Sequence, residues 1–100
     1  MENTKKHFFL KLNPPRTDFM QTMTEEERSA MQQHVAYWKQ YVDNGTMLIL
    51  GPVFDPKGGY GIGIVEVDDE QILSELQKND PALKIGNTYE TYPMRAVRKI

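Results

Sequence analysis

Apolar and polar positions divide this chain into short apolar runs and two stretches in which apolar residues return every three or four positions. His7-Phe8-Phe9-Leu10-Lys11-Leu12 reads as a first strand, aromatic-rich and stopped by Asn13-Pro14-Pro15. The connection from Asn13 to about Met23 is long for a small domain. It carries Arg16, Asp18, Phe19 and two methionines, which suits a lid or binding loop better than a spacer. Thr24 followed three residues later by Glu27 is a capping box, and Glu25 and Glu26 favour the positive end of a helix dipole. Met31, Val35, Trp38, Tyr41 and Val42 then recur at helical spacing, and Gly45 supplies a stop. The pattern predicts a helix from about Glu25 to Asn44 with His34 on the edge of its apolar stripe.

Met47-Leu48-Ile49-Leu50 predicts a second strand, ended by Gly51-Pro52, with Val53 and Phe54 leading into the turn-rich Asp55-Pro56-Lys57-Gly58-Gly59. Tyr60 to Val67 is a third strand. Its Gly61 and Gly63 share one face, where a side chain, a ligand or another backbone must come close. Asp68 can cap a second helix with Gln71 at its third position, and Ile72, Leu73 and Leu76 form the buried stripe. Asn79-Asp80-Pro81 ends it, and Tyr89 to Ile100 is a last strand in which Pro93 marks an edge or bulge position. The order β-α-β-β-α-β predicts an α+β fold of the ferredoxin-like kind, a four-stranded antiparallel sheet with two helices on one face. With helices on one face, strands should alternate apolar and polar, yet Phe8-Phe9-Leu10 and Met47 to Leu50 are apolar at consecutive positions. Both sheet faces therefore need cover. A second copy packed sheet to sheet is the economical answer; the long loop folding over the open face is the alternative.

Length and composition narrow the function. One hundred residues make a single domain over 1–100. A net charge of −2, with no convincing basic cluster, gives no general attraction to nucleic acid or to an anionic membrane; Arg95, Arg98 and Lys99 alternate along the last strand. The absence of cysteine removes disulfides, thiolate nucleophiles and Cys-ligated zinc. No apolar stretch reaches the ~20 residues of a membrane span. The polar start, Met1 to Lys6, leads into too short an apolar run for a signal peptide, so the expected location is cytoplasmic. If proton chemistry near neutral pH occurs, His34 is its natural carrier, since the other histidine, His7, lies in the first strand. Gly51-Pro52 and Gly61-x-Gly63 match neither the Walker nor the dinucleotide glycine spacing.

Taken in order, Pro15-Arg16, Phe19, Met23-Thr24 with Glu26 and Glu27, Met31, His34, Tyr37-Trp38, Gly45, Gly51-Pro52-Val53, Asp55-Pro56, Gly61-x-Gly63, Asp80-Pro81 and Pro93-Met94 resemble the YCII-related (YciI-like) family over nearly the whole chain. The resemblance implies a dimeric α/β barrel and a His-Asp active site, here His34 with Asp80. It also implies acid-base chemistry, elimination or isomerisation, on small and often ring-shaped organic molecules, without metal or organic cofactor.

In the expected fold, a residue just after the second helix can reach the middle of the first. A carboxylate on one ring nitrogen would fix the imidazole tautomer and leave the other nitrogen to take and return a proton. The plainer account is a half-buried histidine satisfied by a turn carboxylate, Asp80 sitting in ordinary Asn-Asp-Pro turn chemistry. Arg16, in the lid-like loop, is an expected bidentate anchor for an anionic ligand, or else a solvated charge. Phe19 is an expected pocket cover, Trp38 a core residue that can also line the pocket, and Asp55 a turn former with a lesser claim to the site. The six methionines read as core filler. The leading expectation is thus a cofactor-independent lyase or isomerase acting as a homodimer on a small, anionic or ring-shaped ligand. Beside it stand a non-catalytic binding or sensing module using the same cleft and a purely structural dimer domain.

Overall fold

A computed structural model of the chain describes residues 5–97. Four strands, β1 (Lys6–Asn13), β2 (Met47–Val53), β3 (Tyr60–Val67) and β4 (Thr88–Met94), form one antiparallel sheet in the order β2-β3-β1-β4. The helices are α1 (Phe19–Thr22), α2 (Glu25–Asp43) and α3 (Glu70–Lys78), followed by a 3₁₀ turn, Pro81–Ile85. This is the α+β, ferredoxin-like order expected from the sequence.

Strand alternation sorts the sheet into two faces. Phe8, Leu10 and Leu12 of β1 and Val65 and Val67 of β3 are buried, and most of them pack with Trp38, Met47 and Leu73 into the core beneath α2 and α3. Phe9, Ile62 and Ile64 point the other way with Ile49, Tyr92 and Met94, the last three exposed. His7 also lies on that open face, 2.9 Å from Glu66. The 13–23 segment does not cover it. Phe19, Met20 and Met23 lie on the helix side, against Leu10, Leu12 and His34. The local alternative to sheet-on-sheet packing is therefore not the arrangement adopted.

Several boundaries differ from expectation, each for a local reason. A register shift between Met47 and Ile49 bulges β2 at Leu48, which explains part of its consecutive apolar run, and pairing continues through Gly51-Pro52 to Val53. Asp69, not Asp68, caps α3 by accepting from the Ile72 amide; Asp68 is engaged by Lys5 at 2.9 Å. β4 stops at Met94 because its pairing with β1 ends at His7, so Arg95 is outside the strand, while Arg98, Lys99 and Ile100 lie outside the described residues. Met1 to Thr4 also lie outside them. On α2, Val35 and Val42 are exposed, and Ile72 is exposed on α3. The buried positions of α2 are His34 and Trp38, with Tyr37 and Tyr41 packed alongside, so the histidine is central to the stripe rather than at its edge.

Candidate active site

The capping box holds the start of α2 as the sequence anticipates: the Glu27 amide donates to Thr24 and the Glu27 carboxylate accepts from the Thr24 amide. Two turns on, α2 presents His34 and Trp38 inward on one face. Asp80 meets them from the chain leaving α3. It is the N-cap of the 3₁₀ turn, with Pro81 next, and its Oδ1 accepts from the Ala82 amide at 2.9 Å. The turn former and the partner of His34 are therefore the same residue. One carboxylate oxygen closes the turn, and both face the imidazole.

His34 Nδ1 lies 2.9 and 2.8 Å from the two Asp80 oxygens, donating in the tautomer that leaves Nε2 as an acceptor. Trp38 Nε1 donates to Asp80 Oδ2 at 2.9 Å, and the Tyr89 hydroxyl donates to the same oxygen at 2.5 Å. Burial pushes the Asp80 carboxyl up, but hydrogen bonds from His34 and Tyr89, the nearby His34 charge and the Ala82 amide together bring it below its ordinary value. Tyr89 is driven strongly upward by burial and by the Asp80 charge, so it remains a protonated donor. The result is a buried, ionised carboxylate behind a histidine that reaches a cavity.

That cavity, about 420 Å³, lies between α2, the 13–23 segment and the helix-facing side of the sheet. Its walls are mainly apolar, with Leu10, Leu12, Phe19, Met23, Met31 and Leu50 among them. Gly61 and Gly63 contribute bare backbone on one strand face; a Cβ on Gly63 would stand 2.9 Å from the Met47 methyl. Among the described residues Nε2 of His34 has no hydrogen-bond partner. No buried side-chain nitrogen or oxygen among the described residues is left unpaired, so this nitrogen opens onto the cavity.

The residues singled out from sequence are distributed unequally. His34 and Phe19 line the cavity, Phe19 from α1 where an irregular loop was expected. Asp80 and the fully buried Trp38 stand behind His34. Arg16 does not line the cavity, because its guanidinium is already committed. It clamps Glu27 bidentately at 2.9 and 2.8 Å, donates to the Thr22 hydroxyl and carbonyl, and lies over the Phe19 ring. Asp55 caps the Lys57 amide and, with Arg16, borders a separate polar hollow. Tyr89 and Asn87 belong to the cavity wall and drew no attention in the sequence. Their signal was weak, a glycine-ended turn followed by a strand whose alternate residues face inward. Among the described residues no group of three or more His, Cys, Asp or Glu could hold a metal.

A family model described as the YCII-related domain matches residues 8–98. No curated protein matches the chain. Among solved structures it is similar to the uncharacterized protein TM1266 from Thermotoga maritima, with 13% identity, a TM-score of 0.56, and 91% of this chain and 99% of that one covered. It is also similar to a substituted form of SnoaB, a cofactor-independent oxygenase from Streptomyces nogalater, with 10% identity, a TM-score of 0.50, and 98% of each chain covered. At these identities the likeness is one of fold.

Proposed function

The chain belongs to the YCII-related domain family, and from that premise we propose that it is a small-molecule enzyme that uses His34 as general acid and base, Asp80 as its orienter and no cofactor. The observation that carries this reading is one imidazole with its two nitrogens in opposite surroundings: Nδ1 held by a buried carboxylate, Nε2 open to an apolar cavity. In the reaction, Nε2 takes a proton from an acidic C–H of a ring-shaped substrate, and the electron pair stays on the substrate. The imidazolium is stabilised by Asp80. Returning the proton to a different carbon gives isomerisation; where the retained pair instead forms a double bond to the neighbouring carbon, a leaving group departs from that carbon with its own bonding pair, which is elimination. A fold neighbour that is a cofactor-independent oxygenase supports chemistry done by side chains alone.

Phe19 and the apolar walls hold the ring. Arg16 holds the 13–23 segment that carries Phe19. The working unit is a homodimer closed through the open sheet face, where Ile49, Tyr92 and Met94 are exposed and Phe9, Ile62 and Ile64 half-buried within one chain.

Proton abstraction is testable without the natural substrate. In deuterated water, exchange of the acidic C–H of a bicyclic ketone such as 2-tetralone, followed by proton NMR, is expected above background with wild type. His34→Asn, which keeps a polar side chain but cannot carry a proton, is expected to slow that exchange by about 10²-fold. Exchange equal in the two proteins across a panel of such ketones leaves the cavity a binding site, and the binding-module reading prevails.

A further inference from the structure

Four polar side chains belong to residues of the cavity wall, and their hydrogen-bonding capacity can be followed one by one. Tyr60 pairs with Val53 on the open face of the sheet, where Lys11 lies over its ring. The Tyr89 hydroxyl donates to Asp80 and accepts from Trp38. His34 and Asn87 remain. Asn87 is buried, and its Nδ2 donates to the Ala82 carbonyl at 3.0 Å, which fixes the amide with Oδ1 turned away from that carbonyl. Nδ2 also lies 3.9 Å from the sulfur of cavity-lining Met31. Among the described residues Oδ1 has no donor and no buried side-chain oxygen is unpaired, so Oδ1 is accessible, on a residue that lines the cavity.

The cavity therefore offers Asn87 Oδ1 as an acceptor, beside His34 Nε2 in the tautomer whose Nδ1 donates to Asp80, and no lysine or arginine lines it. A carboxylate or phosphate entering it would shed its hydration, meet no lysine or arginine and face the ionised Asp80 behind His34. A neutral ring bearing hydroxyl or N–H groups loses nothing of that kind. We infer that Asn87 is a specificity-determining residue, its Oδ1 accepting a hydrogen bond from a donor on a neutral, phenol-like ligand, and that the site selects against anions. This deepens the proposed function and rests on its placing of substrate in this cavity. It also departs from the expectation of an anionic ligand clamped by Arg16.

Three probes of one ring system test it by calorimetry at neutral pH: 2-naphthol, 2-methoxynaphthalene and 2-naphthoate. Wild type is expected to bind the naphthol at least about tenfold more tightly than the naphthoate, and about three- to tenfold more tightly than the methyl ether, which has no donor. Asn87→Leu is expected to erase the preference for naphthol over its ether while leaving ether affinity in place. Should that variant not fold, the side-chain carbonyl carbon of Asn87 in labelled wild type provides the reading, shifting with naphthol and not with the ether. Naphthoate bound as tightly as naphthol, a naphthol preference that survives Asn87→Leu, an unmoved carbonyl resonance, or no binding of any probe overturns the inference. None of these readings involves turnover. Loss of the His34 exchange activity alone would sink the proposed function and leave this selectivity standing, and the reverse outcome would do the opposite.

Discussion

Asp80 gathers donors from α2, β4 and the 3₁₀ turn onto one buried carboxylate, and the consequence is readable in pH. Its carboxyl sits below the ordinary value in the folded chain, so its contribution to stability is complete above about pH 4 and is lost as pH falls through the folded value. The gap in melting temperature between wild type and Asp80→Asn is therefore expected to be full at neutral pH and to narrow in acid. A gap that stays constant down to pH 2 would show that the carboxylate is not stabilised in its charged form. At this scale the sequence was most legible where partners are near neighbours: Thr24 and Glu27 announce their reciprocal bonds by spacing alone. The partnership of Trp38 and Tyr89 with Asp80 joins residues 42 and 9 positions apart and becomes visible only once helix and strand are packed.

Elements tell a similar story, with length as the deciding variable. β3 was readable to its ends and α2 to within a residue, since each is long enough to show a period. The four residues of α1 and the five of the 3₁₀ turn are too few to show one, yet α1 carries Phe19 and the turn is capped by Asp80. On α2, hydrophobicity alone misassigned Val35 and Val42, because an aromatic and polar stripe of His34, Tyr37, Trp38 and Tyr41 occupies the inner face. The tie between α1 and α2 is electrostatic. Hydrogen bonds from Arg16 and the Thr24 amide bring the Glu27 carboxyl down to about 2, so that link is intact above about pH 4.5 and weakens as pH falls toward 2. Arg16→Ala is expected to lower the melting temperature modestly and to speed amide exchange over residues 19–22, with only an indirect loss in cavity binding. A variant with unchanged exchange in that segment and sharply reduced ligand affinity would return Arg16 to the role of direct anchor.

For the whole molecule, the strongest expectation comes from the sheet's uncovered side. Consecutive apolar residues signalled a need for cover on both faces; the bulge at Leu48 accounts for part of that signal, and Phe9 with Ile62 and Ile64 for the rest. Sedimentation at micromolar concentration is expected to give about twice the 11.6 kDa chain mass, and Ile64→Glu, which sets a charge in the middle of that face, is expected to give the single mass with the fold retained. A monomeric wild type, or a variant still dimeric, would rule out this interface. The two outer strands carry a different consequence. β2 contains Pro52 and β4 contains Pro93, so each exposed margin lacks one of the amide groups that an incoming strand would need. Lateral growth of the sheet into ribbons or fibrils is blunted at both ends. Association face to face, by contrast, is self-limiting: it consumes the sticky surface and stops at two. If the apolar face is where two copies meet, it stays open until they do, and two prolines obstruct the polymerising routes meanwhile.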